Sequence, residues 1–203
     1  MNPKDTYHHG NLRRAIMDGA LACIREGGLE SLSLRQVASA AGVSHTAPYH
    51  HFASKGELVR ALGYEGLGLL DARMAAAETG AGADPVERLL AVGAAYVTFA
   101  VERRDYHSAM RAPEMTEPHA SDEVEEHGES WERLVRAVVS CQAAGRLPAG
   151  DPTVLVVGMW SLVHGLAELW STSPIPALPA AADGCGPFTH TVLRAMVRAA
   201  ASD

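Results

Sequence analysis

The chain has 203 residues, 47% of them hydrophobic, and a formal net charge of −7. That length holds one or two domains with a sizeable core, and no apolar run of membrane-spanning length or leader pattern stands out, so a cytoplasmic protein is expected. Cys23, Cys141 and Cys185 are odd in number and far apart, which argues against a disulfide framework or zinc-finger spacing and leaves them as small buried apolar groups.

In chain order, Leu12, Ala15, Ile16, Ala20, Cys23 and Ile24 follow helical spacing, and Gly27-Gly28 ends that helix. Ser33 with Gln36 three residues later is a capping box that opens a second helix, whose small apolar face is Val37, Ala40 and Ala41. Gly42 supplies the positive φ that stops it, Val43 packs the corner, and Ser44 is placed to cap a further helix over 45–51. Ser54 with Glu57 is a second capping box, and the helix it opens runs to about Glu78. Two helices joined by a few residues around a glycine form a helix-turn-helix, in which the second helix enters the DNA major groove and its first residues reach base edges.

The residue types fit that reading. Ser44, His45 and Thr46 crowd the start of the second helix, Tyr49, His50 and His51 follow, and Lys55 begins the next helix. All carry groups that donate to phosphate oxygens. AAGVSHTAPYHHFASKGELVRAL, over 40–62, resembles the DNA-binding signature of the tetracycline-repressor (TetR) family, and YHHGNLRRA at 7–15 resembles the entry to its first helix. Within that frame His45, Thr46 and Ala47 are the expected base-edge residues, and Arg35 is placed to pair with a guanine or with a phosphate. Ser33, Ser44, Tyr49, His50, His51 and Lys55 are assigned to phosphates, and Phe52 and Val43 to the scaffold. Pro48 lacks an N–H, so the recognition helix is expected to begin tight or distorted.

Beyond residue 62 the sequence is helical throughout. Gly80–Asp84 is a loop, and Asp84 with Pro85 caps a helix whose buried face is Leu89, Leu90, Gly93, Tyr96, Val97 and Ala100. Asp105 opens a short helix that Pro113 ends. After an acidic stretch, Trp131, Leu134, Val135 and Val138 resume helical spacing. Asp151-Pro152 opens VLVVGMWSLVHGLAELW, apolar almost all round and expected to be buried on most faces. Gly158, Ser161 and Gly165 form one small-residue stripe on it, which lets another helix approach closely. A Pro/Gly/Ala loop follows, and a last helix spans about 186–201. The expected fold is all-α, with about nine helices: a helix-turn-helix domain over 1–62 and a helical ligand-binding and dimerisation bundle over 63–203.

MWSLVHGLAEL, over 159–169, also resembles a C-terminal domain marked by tryptophan, histidine and glycine in one subgroup of the TetR family. The resemblance implies a bacterial homodimer joined through the last two helices of each subunit. It also implies a repressor released from a palindromic operator when a small molecule enters the bundle. Residues 1–62 carry +2 and residues 63–203 carry −9, so acid is kept away from the proposed DNA face. Arginine outnumbers lysine 15 to 2, which hints at a GC-rich genome.

Tyr96, Phe99, His107, Met110 and Trp131 are candidate pocket residues, or plain core, and His164 is a candidate polar partner. They point to a mainly apolar effector, neutral or weakly acidic. No cofactor motif is present. His119, Glu123 and His127 share a helical face of the kind that binds metal, but lie in a solvated acidic stretch, and no metal is assigned. Two other readings remain at this point: a helical enzyme using the bundle pocket, and a DNA-binding regulator whose bundle takes a protein instead of a ligand.

Overall fold

In a computed structural model the described residues are 3–116, 129–172 and 184–201, with side chains from residue 12 onward. All regular structure among them is helical: α1 (Pro3–Gly27), α2 (Leu34–Ala40), α3 (Lys55–Gly80), α4 (Pro85–Glu102), α5 (Arg104–Met110), α6 (Glu129–Ala143), α7 (Thr153–Thr172) and α8 (Cys185–Ala200), with 3-10 turns at Ala47–His50 and Pro113–Met115. His119, Glu123, His127 and the stretch 173–183 lie outside the described residues. The chain packs as two units, Met1–Gly66 with Arg104–Asp122 and Leu67–Arg103 with Glu123–Asp203. A single cut after residue 62 misses that the segment from Arg104 returns to the first unit.

In the first unit, Ile16, Ala20 and Ile24 of α1 are buried together with Leu34, Val37 and Ala38 of α2. A Cβ on Gly19 would press on the backbone of Val37 and Ala41 at 3.1 Å, so glycine there sets how closely α2 lies on α1. α5 also packs on α1. Its Asp105 lies in the first turn, is 3% exposed and receives Nη1 of Arg25 at 2.6 Å. Pro113 does not end α5, which stops at Met110; it opens the following 3-10 turn. Arg14 pairs with both Asp18 and Glu65.

The second unit is a bundle around α4, which contacts α6, α7 and α8. Asp84 caps α4 by accepting from the Val86 N–H at 2.9 Å, with Pro85 in the first turn. The expected face of α4 is buried, with Val92 and Phe99 added. On α6, Leu134, Ala137, Val138 and Cys141 face inward; burial pushes the Cys141 thiol up to about 11, so it is an unreactive core group.

α7 departs from its reading. Asp151 caps it through the Thr153 N–H at 2.8 Å, but only Val156, Met159, Val163, Leu166 and Ala167 are buried. Val154, Val157, Gly158, Ser161, Gly165 and Leu169 form an exposed stripe along the opposite side. The apolar composition that predicted burial therefore serves two faces, one turned inward and one uncovered in the single chain. By length and a mean hydropathy of 1.4, Thr153–Thr172 also passes as a membrane span, which the sequence reading did not register. Its inner face is packed on α4, α6 and α8.

Candidate functional site

The helix-turn-helix is built by local bonds. Ser33 Oγ accepts from the Gln36 N–H at 3.3 Å and donates to Gln36 Oε1 at 2.7 Å, which starts α2. Gly42, at φ +67, ends it. The Gly42 N–H donates to Ser39 O and the Val43 N–H to Ala38 O, which together make a Schellman turn. The Ser33 hydroxyl assigned to phosphate is thus engaged in its own cap.

The next segment is not the α-helix expected over 45–51 but a 3-10 turn, Ala47–His50. Pro48 is the cause. It has no N–H to give to Ser44 O, so the chain closes through i→i+3 bonds, Ala47 N–H to Ser44 O at 3.0 Å and Tyr49 N–H to Thr46 O at 3.2 Å. Ser44 does not cap a helix; its Oγ lies 3.3 Å from Thr46 Oγ1. Ala47 is only 8% exposed and, with Pro48 and Phe52, forms the buried base of the turn. It is therefore no base-edge residue in this conformation. Arg13 lies over the Phe52 ring at 5.0 Å.

What remains outward is a polar tip. Ser44, His45, Thr46 and His50 are exposed, Tyr49 is 60% exposed, and Arg35 stands exposed on α2. His51 is half-buried. Lys55, assigned to phosphate, instead engages the backbone: its Nζ donates to Leu29 O and Glu30 O, each at 3.1 Å. It holds the loop after α1 against the start of α3. At the start of α3 the Glu57 N–H donates to Ser54 Oγ at 3.1 Å, and the Glu57 carboxylate reaches back past the cap to accept from the Ala53 N–H.

In the second unit an apolar cavity of about 70 Å³ opens among Met74, Val92, Gly93, Tyr96, Ser130, Trp131, Leu134, Trp160 and Val163. Of the six candidates, Tyr96 and Trp131 line it. His164 stands behind the wall, its ring 4.6 Å from Tyr96 and 3.9 Å from Trp160, with Nδ1 2.8 Å from Trp160 O. Phe99 is buried core and is not among the residues that line it. His107 and Met110 belong to the first unit, where Met110 packs on Gly66. Sequence reasoning missed Met74, Ser130 and Trp160 as wall residues. Trp160 had been noted only as a family mark, yet it sits four residues before His164 on the same helical face.

Residues 16–62 match the tetR family of bacterial regulatory proteins, and residues 89–196 match the tetracyclin repressor-like C-terminal domain. Over 58 residues the chain is 40% identical to the HTH-type transcriptional repressor Rv1474c of Mycobacterium tuberculosis. That match covers 29% of this chain, and the chain spans 31% of the length of that curated relative. A protein of unknown function from Rhodococcus sp. RHA1 is 32% identical, with a TM-score of 0.77 over 99% of this chain and 100% of that one. AibR, solved in complex with isovaleryl coenzyme A and operator DNA, is alike in fold alone, at 18% identity and a TM-score of 0.65 over 91% and 97% of the two chains. With both of its parts matched in order along the sequence, the chain belongs to the tetracycline-repressor family of bacterial DNA-binding regulators.

Proposed function

We propose that the protein is a homodimeric, cytoplasmic repressor that leaves a near-palindromic operator when a mainly apolar small molecule enters its bundle, and that it is not an enzyme. The observation that carries the DNA-binding half is the tip of the first unit. Ala47, Pro48 and Phe52 anchor a short turn whose outward side holds only hydrogen-bonding groups, from His45, Thr46, Tyr49 and His50. We assign base edges to His45 and Thr46. Ser44, Tyr49, His50 and His51 go to phosphates, and Arg35 to a guanine or a phosphate. Few cations face outward there, so two heads acting together supply the affinity.

The dimer reading rests on α7. Val154, Val157, Gly158, Ser161, Gly165 and Leu169 recur at helical spacing and stay exposed, as does Met196 of α8. An uncovered stripe of small and apolar residues supports an association surface there. The effector reading rests on the cavity walled by Tyr96, Trp131 and Trp160. AibR, alike in fold, has been captured with both an acyl coenzyme A and operator DNA, which supports one chain serving both ligands. Release requires that the effector bind the DNA-incompetent state more tightly than the competent one.

Titration of operator-bound protein with effector tests this reading. Trp131→Phe and His164→Ala should hold operator like the parent but need about ten-fold more effector for release. Equal effector response in both variants would remove the pocket from the mechanism.

A further inference from the structure

The sequence reading favours a neutral or weakly acidic effector; the surroundings of the cavity argue for the opposite charge. Three rings form much of its wall. Trp131 and Trp160 meet edge to face, their centroids 6.3 Å apart at 79°, and both stay more than two-fifths exposed, at 43% and 44%. Tyr96 completes the wall from α4. Aromatic faces attract cations as well as apolar groups.

Next to this wall lies a half-buried carboxylate that Ser130 engages and that keeps one oxygen without a partner among the described residues. Asp71 sits on α3 one turn before the lining residue Met74, and beside the lining residue Ser130. Its Oδ1 is buried and has no hydrogen-bond partner among the described residues. Burial holds the Asp71 carboxyl above the ordinary carboxylate range and Glu129 pushes the same way, while Ser130 and Arg133 pull it back. A buried acceptor without a donor is costly, and such groups concentrate at sites that another molecule completes.

The nearby charges do not cancel it. Arg133 is taken by Glu78, with which it forms a salt bridge. The set Asp71, Glu78, Glu129 and Arg133 is therefore net negative, and no lysine or arginine lines the cavity among the described residues. Among the described residues Arg133 Nε is also buried without a partner, a feature that would favour an anion.

We propose that the bundle pocket selects a small organic cation, its apolar body among Tyr96, Trp131 and Trp160 and its ammonium donating to Asp71. The inference rests on the reading of this pocket as the effector site. The cation supplies a donor to Oδ1, the oxygen that Ser130 leaves unpartnered, and a counter-charge to the carboxylate. Cation selection then comes from one residue and apolar affinity from the rings.

Three probes of the same body and different charge decide it: benzylammonium, benzyl alcohol and benzoate, titrated into the full chain with tryptophan fluorescence as the readout. Benzylammonium should bind at least ten-fold tighter than benzyl alcohol, and benzoate weakest. Asp71→Asn should bring benzylammonium down to the affinity of the alcohol and leave the alcohol unchanged, a pattern that a general loosening of the bundle would not give. Benzoate binding best, or a cation preference that survives Asp71→Asn, overturns the proposal. Equal binding of all three removes cation selection and leaves the effector pocket standing. No response to any of them removes the pocket itself.

Discussion

Arg25 and Asp105, 80 residues apart in sequence, meet at 2.6 Å on the packed faces of α1 and α5. The carboxylate is almost fully buried, while the guanidinium is more than half exposed. The pair closes the first unit by bringing a segment from the middle of the chain back onto its first helix. Removing the exposed partner takes the counter-charge from a buried carboxylate, which costs more than losing a surface ion pair even though the Tyr106 N–H still donates to it. Arg25→Ala should lower stability by about 1–2 kcal/mol, a figure reduced for the solvent around Arg25. Urea unfolding would read it, and a change within error would show that Asp105 is held by its other neighbours.

Tyr49 and Thr46 share the exposed tip but should behave differently. Tyr49→Phe removes one hydrogen bond to a phosphate, which carries no base information, so affinity should fall about five-fold, roughly 1 kcal/mol, on every operator variant. Thr46→Ala should alter preference at one or two base positions only. Binding curves on a panel of point-mutated operators separate the two. A sequence-selective loss for Tyr49→Phe would reverse the assignments.

The stripe on α7 gives a clean test of the dimer. A Cβ on Gly158 or Gly165 meets nothing within 4 Å in the single chain, so Gly165→Leu should leave the subunit fold intact. Across a close helix pair the same side chain overpacks, at about 1–3 kcal/mol or more. Sedimentation should show more monomer, and DNA affinity should fall with the dimer although the head is untouched. An unchanged dimer would place Gly165 outside the interface.

Asp71 gives a pH prediction. Its folded-state carboxyl is raised above the unfolded value, mainly by burial. The protonated form therefore suits the fold, and stability is lost as pH rises through the folded value. Asp71→Asn mimics the protonated form. It should raise the melting temperature at pH 7, with the gain shrinking as pH falls toward about 4, the ordinary aspartate range. A variant less stable than the parent at pH 7 would mean that Asp71 is satisfied in solution.

The head was legible because its signals are local. Ser33, Gly42, Ser54 and Glu57 act within four residues of themselves, and each starts or stops a helix where its spacing implies. Pro48 was legible as a disturbance but not in its outcome: the sequence shows a missing donor, and only the closed turn shows that Ala47 is thereby turned inward. Lys55 was misread because the carbonyls of Leu29 and Glu30 that hold it lie some 25 residues earlier in the chain. The cavity was half legible for a similar reason. Tyr96 and Trp131 stood out by type, whereas Met74 and Trp160 join them only through the packing of α3 and α7. Periodicity marks an apolar face but not what covers it, so α7 read as buried when one of its faces is open.

Selection of bound sequences from a random double-stranded DNA library by the purified full chain is the most direct measurement. A near-palindrome should be enriched, its half-site centres about 34–36 Å apart or a multiple of that, as two identical heads require. Enrichment should be lost in a variant with both His45→Ala and Thr46→Ala. Absence of any enriched motif, or enrichment that survives in the double variant, would contradict a dimeric regulator reading DNA through the Ala47–His50 turn.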